Sequence, residues 1–355
     1  MFMNGNELPF FLGFLVLIIM LLSLDIGVFH KKDHVIGIKE AAIWTVVWIT
    51  IALLFNLVIL FHGEWVHGIN NTESLKAYYD SYFPGSTSHC YNEAFGYDEN
   101  LRIFRHNMGL EYLTGYLMEK ALSIDNIFVM IMIFINFGIN KQYYHRVLFW
   151  GILGAIALRF LFIFAASALV SKFVWVLAVF GVMLVYSGIK MFIDKSGLQV
   201  DTSNHVVVRW SSKVFRVSRE LDGNKFFTRK SGKLYITPLF LVLLVIEFSD
   251  VIFAVDSIPA VFSITRDPFI VFFSNIFAIL GLRSLFFLLD SVMDRFWLLR
   301  YGLGVLLTFI GVKMLLATIL HIEMGTGTSL YVILGTLAVS ITCSLLFPKK
   351  KESAA

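Results

Sequence analysis

Residues 239–262 read LFLVLLVIEFSDVIFAVDSIPAVF, and this stretch indicates the fold class. It is long enough to cross a bilayer as a helix, which needs about 20 mostly apolar residues. Yet it contains three acids, Glu247, Asp250 and Asp256. A charged side chain at the centre of a bilayer costs about 2.5–3.5 kcal/mol on insertion scales, so these acids must face protein groups, a cation or protons. The stretch therefore predicts a membrane helix that carries part of a functional site.

The composition of the whole chain also indicates a membrane protein. Of its 355 residues, 58% are hydrophobic and 15% are charged, and the mean hydropathy is +0.77. Soluble domains are about 25% charged, so an ordinary soluble enzyme and a disordered tail are both excluded. The net charge of +4 is too small to indicate nucleic-acid binding. Two cysteines cannot build a disulfide framework or a cysteine-rich metal site.

Nine apolar runs have the length of a membrane span, which predicts an all-α, polytopic membrane protein of about nine transmembrane helices. Of the 29 Lys and Arg, 19 lie on the side of the C-terminus and five on the side of the N-terminus. Because cytoplasmic loops carry the excess of basic residues, we expect the N-terminus outside and the C-terminus in the cytoplasm. The runs cover about 8–29, 41–62, 109–137, 147–169, 173–193, 235–263, 269–289, 297–320 and 328–347.

Two long loops divide the chain. We expect two N-terminal helices in residues 1–62, repeat units in 108–193 and 235–320, and a last helix with a cytoplasmic tail in 321–355. The outer segment, residues 63–107, is either a small lid or an addition specific to this lineage. The inner loop, residues 194–234, is basic. Its apolar residues from Val207 to Leu221 fit an amphipathic helix on the anionic inner leaflet, and a solvated linker fits equally well.

An internal repeat relates the third to fifth runs to the sixth to eighth. Residues 180–191 read FGVMLVYSGIKM and residues 303–314 read LGVLLTFIGVKM. Upstream, Arg159 matches Arg283, and the acids Glu119 and Asp125 match Asp250 and Asp256. Each unit has an odd number of helices, three, so the second unit begins on the opposite side of the membrane from the first. The two copies therefore have opposite orientations in the membrane. Inverted repeats are typical of secondary transporters, whose substrate site lies between the units near the midplane. A duplicated fold without transport is the alternative.

Polar residues share one face of the third run and a matching face of the sixth. Successive residues of an α-helix are rotated by about 100° around its axis. This rotation places Glu119, Ser123 and Asn126 on one face of the third run, and Glu247, Asp250 and Ser257 on one face of the sixth. Asp125 and Asp256 lie about 120° away from them. Pro259 loosens the turn beside Asp256, because its ring displaces a backbone carbonyl. Asp25, in the first run, lies in a stretch that echoes the one around Asp125.

These residue types indicate a site for a hard cation. Carboxylate, amide, hydroxyl and carbonyl oxygens suit Mg²⁺, Ca²⁺ or Mn²⁺. For any one acid, the alternative is a buried ion pair with Arg159 or Arg283. The predicted metal ligands are Glu119, Asp125, Asn126, Glu247, Asp250 and Asp256, and the predicted supporting or gating residues are Asp25, Ser123, Ser257, Arg159, Arg283 and Pro259.

Three stretches resemble the TerC family, most closely its Alx branch. They are residues 119–126 (EKALSIDN), residues 247–259 (EFSDVIFAVDSIP), and the segment from DPFIV at 267–271 to LGLR at 280–283. The resemblance extends over nearly the whole chain. It implies a bacterial inner-membrane manganese exporter of the LysE-like transporter superfamily, with Mn²⁺ as the transported substrate and without a prosthetic group. The long outer segment departs from the short connection typical of the family.

Three functions therefore remain in view. The first is export of Mn²⁺, with proton exchange as the coupling hypothesis. The second is export of a cationic organic solute, and the third is a membrane scaffold for metal delivery or tellurite resistance that does not itself transport. Motifs of metalloproteases, intramembrane aspartyl proteases and phosphate-binding loops are absent from the sequence, so we do not expect an enzyme. The expected partners are the lipid bilayer and a divalent cation, with a homo-oligomer or an extracytoplasmic partner left open.

Overall fold

The computed structural model describes most of the chain. The described residues are 7–29, 37–83, 89–173, 175–193, 215–218, 221–230, 233–290, 298–320, 322 and 324–346, and among them the side chains of 25–29, 125, 256, 299 and 300 are left out. In chain order the helices are α1 (Leu8–Phe29), α2 (Ile38–His62), α3 (Glu64–His67), α4 (Thr72–Tyr82), α5 (Tyr97–Asn136), α6 (Tyr144–Lys172), α7 (Val176–Ile193), α8 (Pro238–Phe262), α9 (Pro268–Leu280), α10 (Leu282–Asp290), α11 (Leu299–Ile319) and α12 (Thr326–Leu346).

The all-α, polytopic architecture is confirmed. Within the described ranges, six helices are long and apolar enough to cross a membrane: α2, α6, α7, α8, α11 and α12. The pair α9 and α10, bent by 42°, makes a seventh if its halves form one span. Helix α5, with 40 residues, carries several charged side chains along its length. In α1 the apolar stretch covers Leu8–Leu24. Each predicted run thus contains a helix, while the count of nine spans stays a prediction.

The inner loop contains a β-hairpin. Strand β1 (Phe227–Lys230) pairs antiparallel with β2 (Lys233–Ile236), and Val217 forms an isolated bridge with Ile236. The expectation of an amphipathic helix is therefore wrong for Val217 and Leu221, whose backbone is not helical. Packing decides the local structure here, because Phe226 and Ile236 are buried in this fold. The part of the expected helix that precedes residue 215 lies outside the described residues.

The outer segment packs onto the membrane helices. Leu75, Tyr78 and Phe104 are buried in the same apolar cluster as Phe269 and Phe273 of α9. Helix α4 begins at a capping box in which the Asn71 side chain accepts a hydrogen bond from the Ser74 amide at 2.8 Å. This segment is therefore a folded cap on the bundle.

Helices α7 and α11 cross at four glycines. A methyl group on Gly188 would lie 2.7 Å from the Gly304 carbonyl oxygen, and one on Gly311 would lie 2.6 Å from that of Gly181. In the sequence repeat, Gly181 aligns with Gly304 and Gly188 aligns with Gly311. Exchanging the two repeat units therefore turns the contact between Gly188 and Gly304 into the contact between Gly311 and Gly181. A two-fold axis between the two helices would produce this reciprocal contact. The inverted repeat itself remains a prediction that this packing favours.

Candidate carboxylate site within the membrane domain

Arg159 of α6 lies at the centre of a buried polar network. Its Nη1 is 2.6 Å from Glu119 Oε1 on α5, and its Nη2 is 3.9 Å from Asp250 Oδ1 on α8. Nη1 also donates a hydrogen bond to Asn275 Oδ1 on α9. All four side chains are buried. An opposite charge nearby lowers the cost of burying a charge, and Arg159 lies close to acids from both predicted repeat units.

Asn275 is the network residue that the predicted ligand and gating sets omit. Its Nδ2 donates a hydrogen bond to the Val271 carbonyl at 2.9 Å, and this contact directs its Oδ1 toward Arg159. Apart from Ser274, Asn275 is the only polar residue of α9, and this was the available signal, since a buried amide needs partners.

Beside this network lie an acid on α8 and two polar residues that line a cavity. Glu247 lies one turn before Asp250 on α8 and is half-buried. Asn126 and Ser257 line a cavity of about 530 Å³ between α5, α7, α8 and α11. Ser257 also lies next to Glu119, so the cavity wall reaches the network. Along α7 the cavity extends from Met183 to Met191, in the C-terminal half of that helix.

The broken helix pair lies next to this network. Lys120 donates a hydrogen bond to the Ala278 carbonyl at 3.2 Å, near the C-terminal end of α9. A methyl group on Gly281, between α9 and α10, would lie 2.7 Å from Lys120 Nζ. A lysine ammonium is well suited to the end of a helix, whose last carbonyls have no partner within the helix. Discontinuous helices of this type provide ion sites in secondary transporters.

The remaining predicted site residues are only partly described. Ser123 is buried on α5, and Pro259 lies inside α8, which continues to Phe262. Arg283, on α10, is buried, and its Nη1 lies 3.4 Å from His145 Nε2 of α6. The side chains of Asp25, Asp125 and Asp256 lie outside the described set, so their roles stay predictions.

Of the six predicted ligands, the structure describes the side chains of Glu119, Asn126, Glu247 and Asp250. Among the described side chains, no group of three or more His, Cys, Asp or Glu residues is placed to hold a metal ion. Glu119 and Asp250 instead meet through the Arg159 guanidinium. A divalent cation could use the same carboxylate oxygens, so cation and guanidinium compete for them.

Comparison with known proteins identifies the family. The model of the integral membrane protein TerC family matches residues 104–352. An "Uncharacterized membrane protein STKORF319" of Myxococcus xanthus is 40% identical over 334 residues, 94% of this chain and 91% of that protein. The "Putative membrane-bound redox modulator Alx" of Photorhabdus laumondii is 40% identical over 353 residues, 99% of each chain. Its namesake in Escherichia coli K12 is 41% identical over 332 residues, 92% of this chain and 91% of that protein.

The extent of these matches also bears on the outer segment. The family model begins at residue 104, whereas the match to the Photorhabdus protein extends through residues 63–107. The outer segment is therefore not an addition peculiar to this chain. No solved structure matches the chain at a significant level. On the family model and these relatives together, the chain belongs to the TerC family of integral membrane proteins.

Proposed function

We propose that this protein is a secondary transporter that exports Mn²⁺ through the carboxylate network around Arg159. The observation that carries the proposal is that one guanidinium lies between Glu119 and Asp250, one acid from each predicted repeat unit, next to a broken helix. Transporters with inverted repeats bind their substrate at such a position. Carboxylate and amide oxygens suit Mn²⁺, and the family resemblance supports manganese and the outward direction.

The mechanism we propose is an exchange of charges on the same oxygens. With Arg159 between Glu119 and Asp250, one of their two negative charges is balanced in the absence of a substrate. When Mn²⁺ arrives, it takes over these oxygens, and Asp125, Asn126, Glu247 and Asp256 complete its ligands. Because a metal ion binds ionised carboxylates, it also competes with protons. Export of Mn²⁺ in exchange for protons is the coupling that follows from this competition.

The test uses purified protein in sealed vesicles that contain a manganese-sensitive dye. We expect Mn²⁺ flux that responds to an imposed proton gradient while the membrane potential is clamped. Mg²⁺, Ca²⁺ and a cationic amino acid are assayed in parallel. Flux of the amino acid without Mn²⁺ flux would establish the organic-solute alternative. If no substrate moves while the inserted protein still binds Mn²⁺, the scaffold alternative gains support. If the Mn²⁺ flux stays the same under proton gradients of either sign, the hypothesis of proton coupling is wrong.

Two substitutions test the ligand set. Asp125→Asn and Asp256→Asn are each expected to abolish manganese tolerance in cells while insertion stays normal, because each removes a charged ligand. Asp98→Asn is the matched control, since Asp98 is an exposed acid near the start of α5. Wild-type tolerance in both site variants, at matched expression, would remove these two acids from the mechanism.

A further inference from the structure

Gly154 of α6 leaves the space that the Glu247 carboxyl group occupies. A methyl group built on Gly154 would overlap both carboxylate oxygens and the carboxyl carbon of Glu247. At Gly151, three residues earlier on the same helix, a methyl group would meet Ile246 Cγ2 at 3.6 Å and Leu243 Cδ1 at 3.9 Å, which are ordinary contacts. The missing side chain at position 154 therefore matters for Glu247 in particular.

The backbone at position 154 does not itself require glycine. Among the described residues, the glycines with positive φ are Gly68, Gly138 and Gly223, whereas Gly154 lies within the regular helix α6. Glycine inside a helix destabilises it relative to alanine. The reason for glycine at this position is thus the space beside the helix, which the Glu247 carboxyl group fills.

The position of Glu247 relative to the network gives this space a role. Glu247 precedes Asp250 by three residues, about 4.5 Å along α8, and it is half-buried where Asp250 and Glu119 are buried. Within the part of the chain that the structure describes, Glu247 forms no ion pair within 4.0 Å. Helix α6 therefore supplies both Arg159, which occupies the buried acids, and Gly154, which leaves room for the adjacent acid.

We propose that Gly154 is a positioning residue that sets the place of the Glu247 carboxylate, so that Glu247 is the first acid to receive a divalent cation before it displaces Arg159 from Glu119 and Asp250. This inference rests on the proposed transport function. A carboxylate on a flexible side chain can move away from a new methyl group. Gly154→Ala should therefore leave the fold intact and displace the ligand.

The test compares Gly154→Ala with the matched control Gly151→Ala in the vesicle assay. We expect the Mn²⁺ concentration for half-maximal flux to rise about tenfold or more in Gly154→Ala, because a displaced ligand binds poorly. Gly151→Ala should show the wild-type half-maximal concentration, and neither variant should unfold at a lower temperature than the wild type, because alanine favours the helix. A titration of Mn²⁺ binding to the purified proteins should show the same shift.

A double-mutant cycle separates positioning from general packing. The carboxyl group of Asp is one methylene nearer its own backbone, so in a Glu247→Asp background the methyl group at position 154 meets no carboxylate. Adding Gly154→Ala there should change the half-maximal concentration less than twofold. An equal effect in both backgrounds, or equal effects of Gly154→Ala and Gly151→Ala, would overturn the inference while leaving transport established. If wild-type protein neither binds nor moves Mn²⁺, the proposed function and this inference are both wrong.

Discussion

At the scale of single residues, Arg159 connects the candidate site. Its guanidinium contacts Glu119, Asp250 and Asn275, which lie on three different helices. A planar guanidinium with five N–H donors can serve several acceptors at fixed angles, whereas a lysine ammonium is a single point of charge. The charge at position 159 is thus only part of what this residue supplies.

We therefore predict that Arg159→Lys impairs Mn²⁺ flux although the charge is kept. Substitutions that disturb the support of metal ligands cost about 10–100-fold in affinity or activity, and we expect a loss in this range. The control is Arg102→Lys, because Arg102 is exposed and pairs only at the surface with Glu99. Vesicle flux at matched protein content is the measurement. Wild-type flux in Arg159→Lys would show that any cation at this position suffices.

At the scale of helices and segments, His67 ties the outer segment to the membrane helices. Its Nδ1 lies 2.9 Å from Glu7 Oε1, just before α1, and its Nε2 lies 2.7 Å from Asp267 Oδ2. Tyr82 donates a hydrogen bond to the same oxygen of Glu7 at 3.2 Å, and Tyr78 donates one to Asp267 at 3.3 Å. Asp267 also caps α9 through the Phe269 amide. One buried imidazole thereby joins α1, α3 and α9.

This contact predicts a loss of stability at alkaline pH. Burial lowers the pKa of His67, but the carboxylates of Asp267 and Glu7 more than offset this effect and raise the pKa from its ordinary value of 6.5 to about 9. Because the pKa of His67 is higher in the folded than in the unfolded protein, protonated His67 contributes its full stabilisation below the pKa of the unfolded state. This stabilisation is lost as the pH rises from about 6.5 through about 9. The contribution is on the order of 3 kcal/mol.

Thermal unfolding of the purified protein in detergent, between pH 6.5 and pH 9.5, measures this contribution. The unfolding temperature of wild type should fall across that range, and the fall should be smaller in His67→Gln, which has no group to deprotonate. His62→Gln is the control, because His62 is exposed on the same side of the protein. An equal fall in wild type and His67→Gln would assign the pH dependence to other groups.

At the scale of the whole molecule, the cavity lined by Asn126 and Ser257 extends from beside the network along two further helices. It lies along the C-terminal half of α7 and the N-terminal half of α11. The distribution of Lys and Arg predicts that these two helix halves lie toward the cytoplasm. An exporter takes its substrate from the cytoplasm, so we predict that this cavity, whose wall includes Asn126 and Ser257, is the entry route for the cation.

We predict that a cysteine in this cavity reacts with a charged, membrane-impermeant thiol reagent applied from the cytoplasmic side. The variant is Ser187→Cys in a Cys90→Ser, Cys343→Ser background. Val182→Cys, on the same helix, should stay unlabelled, because Val182 is 59% exposed on the apolar outer surface and outside the cavity. Labelling from the opposite side would reverse the predicted orientation, and equal labelling of both variants would remove the cavity as a water-filled route.

The part of the site that could be predicted rests on local properties. Apolar length and charge content identify membrane helices because a bilayer admits little else, and acids in such helices mark a site because their burial is costly. These rules identified Glu119, Asp250 and Arg159 as polar residues within membrane helices. They could not show that Arg159 bonds Asn275, since the two lie 116 positions apart.

The amino-acid sequence by itself determined that this chain is a polytopic helical membrane protein with acids on two similar helices. The tertiary structure alone decided that Gly154 leaves room for Glu247, that the inner loop turns as a hairpin, and that His67 meets Asp267 across 200 positions. The physical reason is the distance along the chain over which each effect acts. Hydropathy and helical period act over a few turns, whereas contacts between distant residues depend on how whole helices pack against one another.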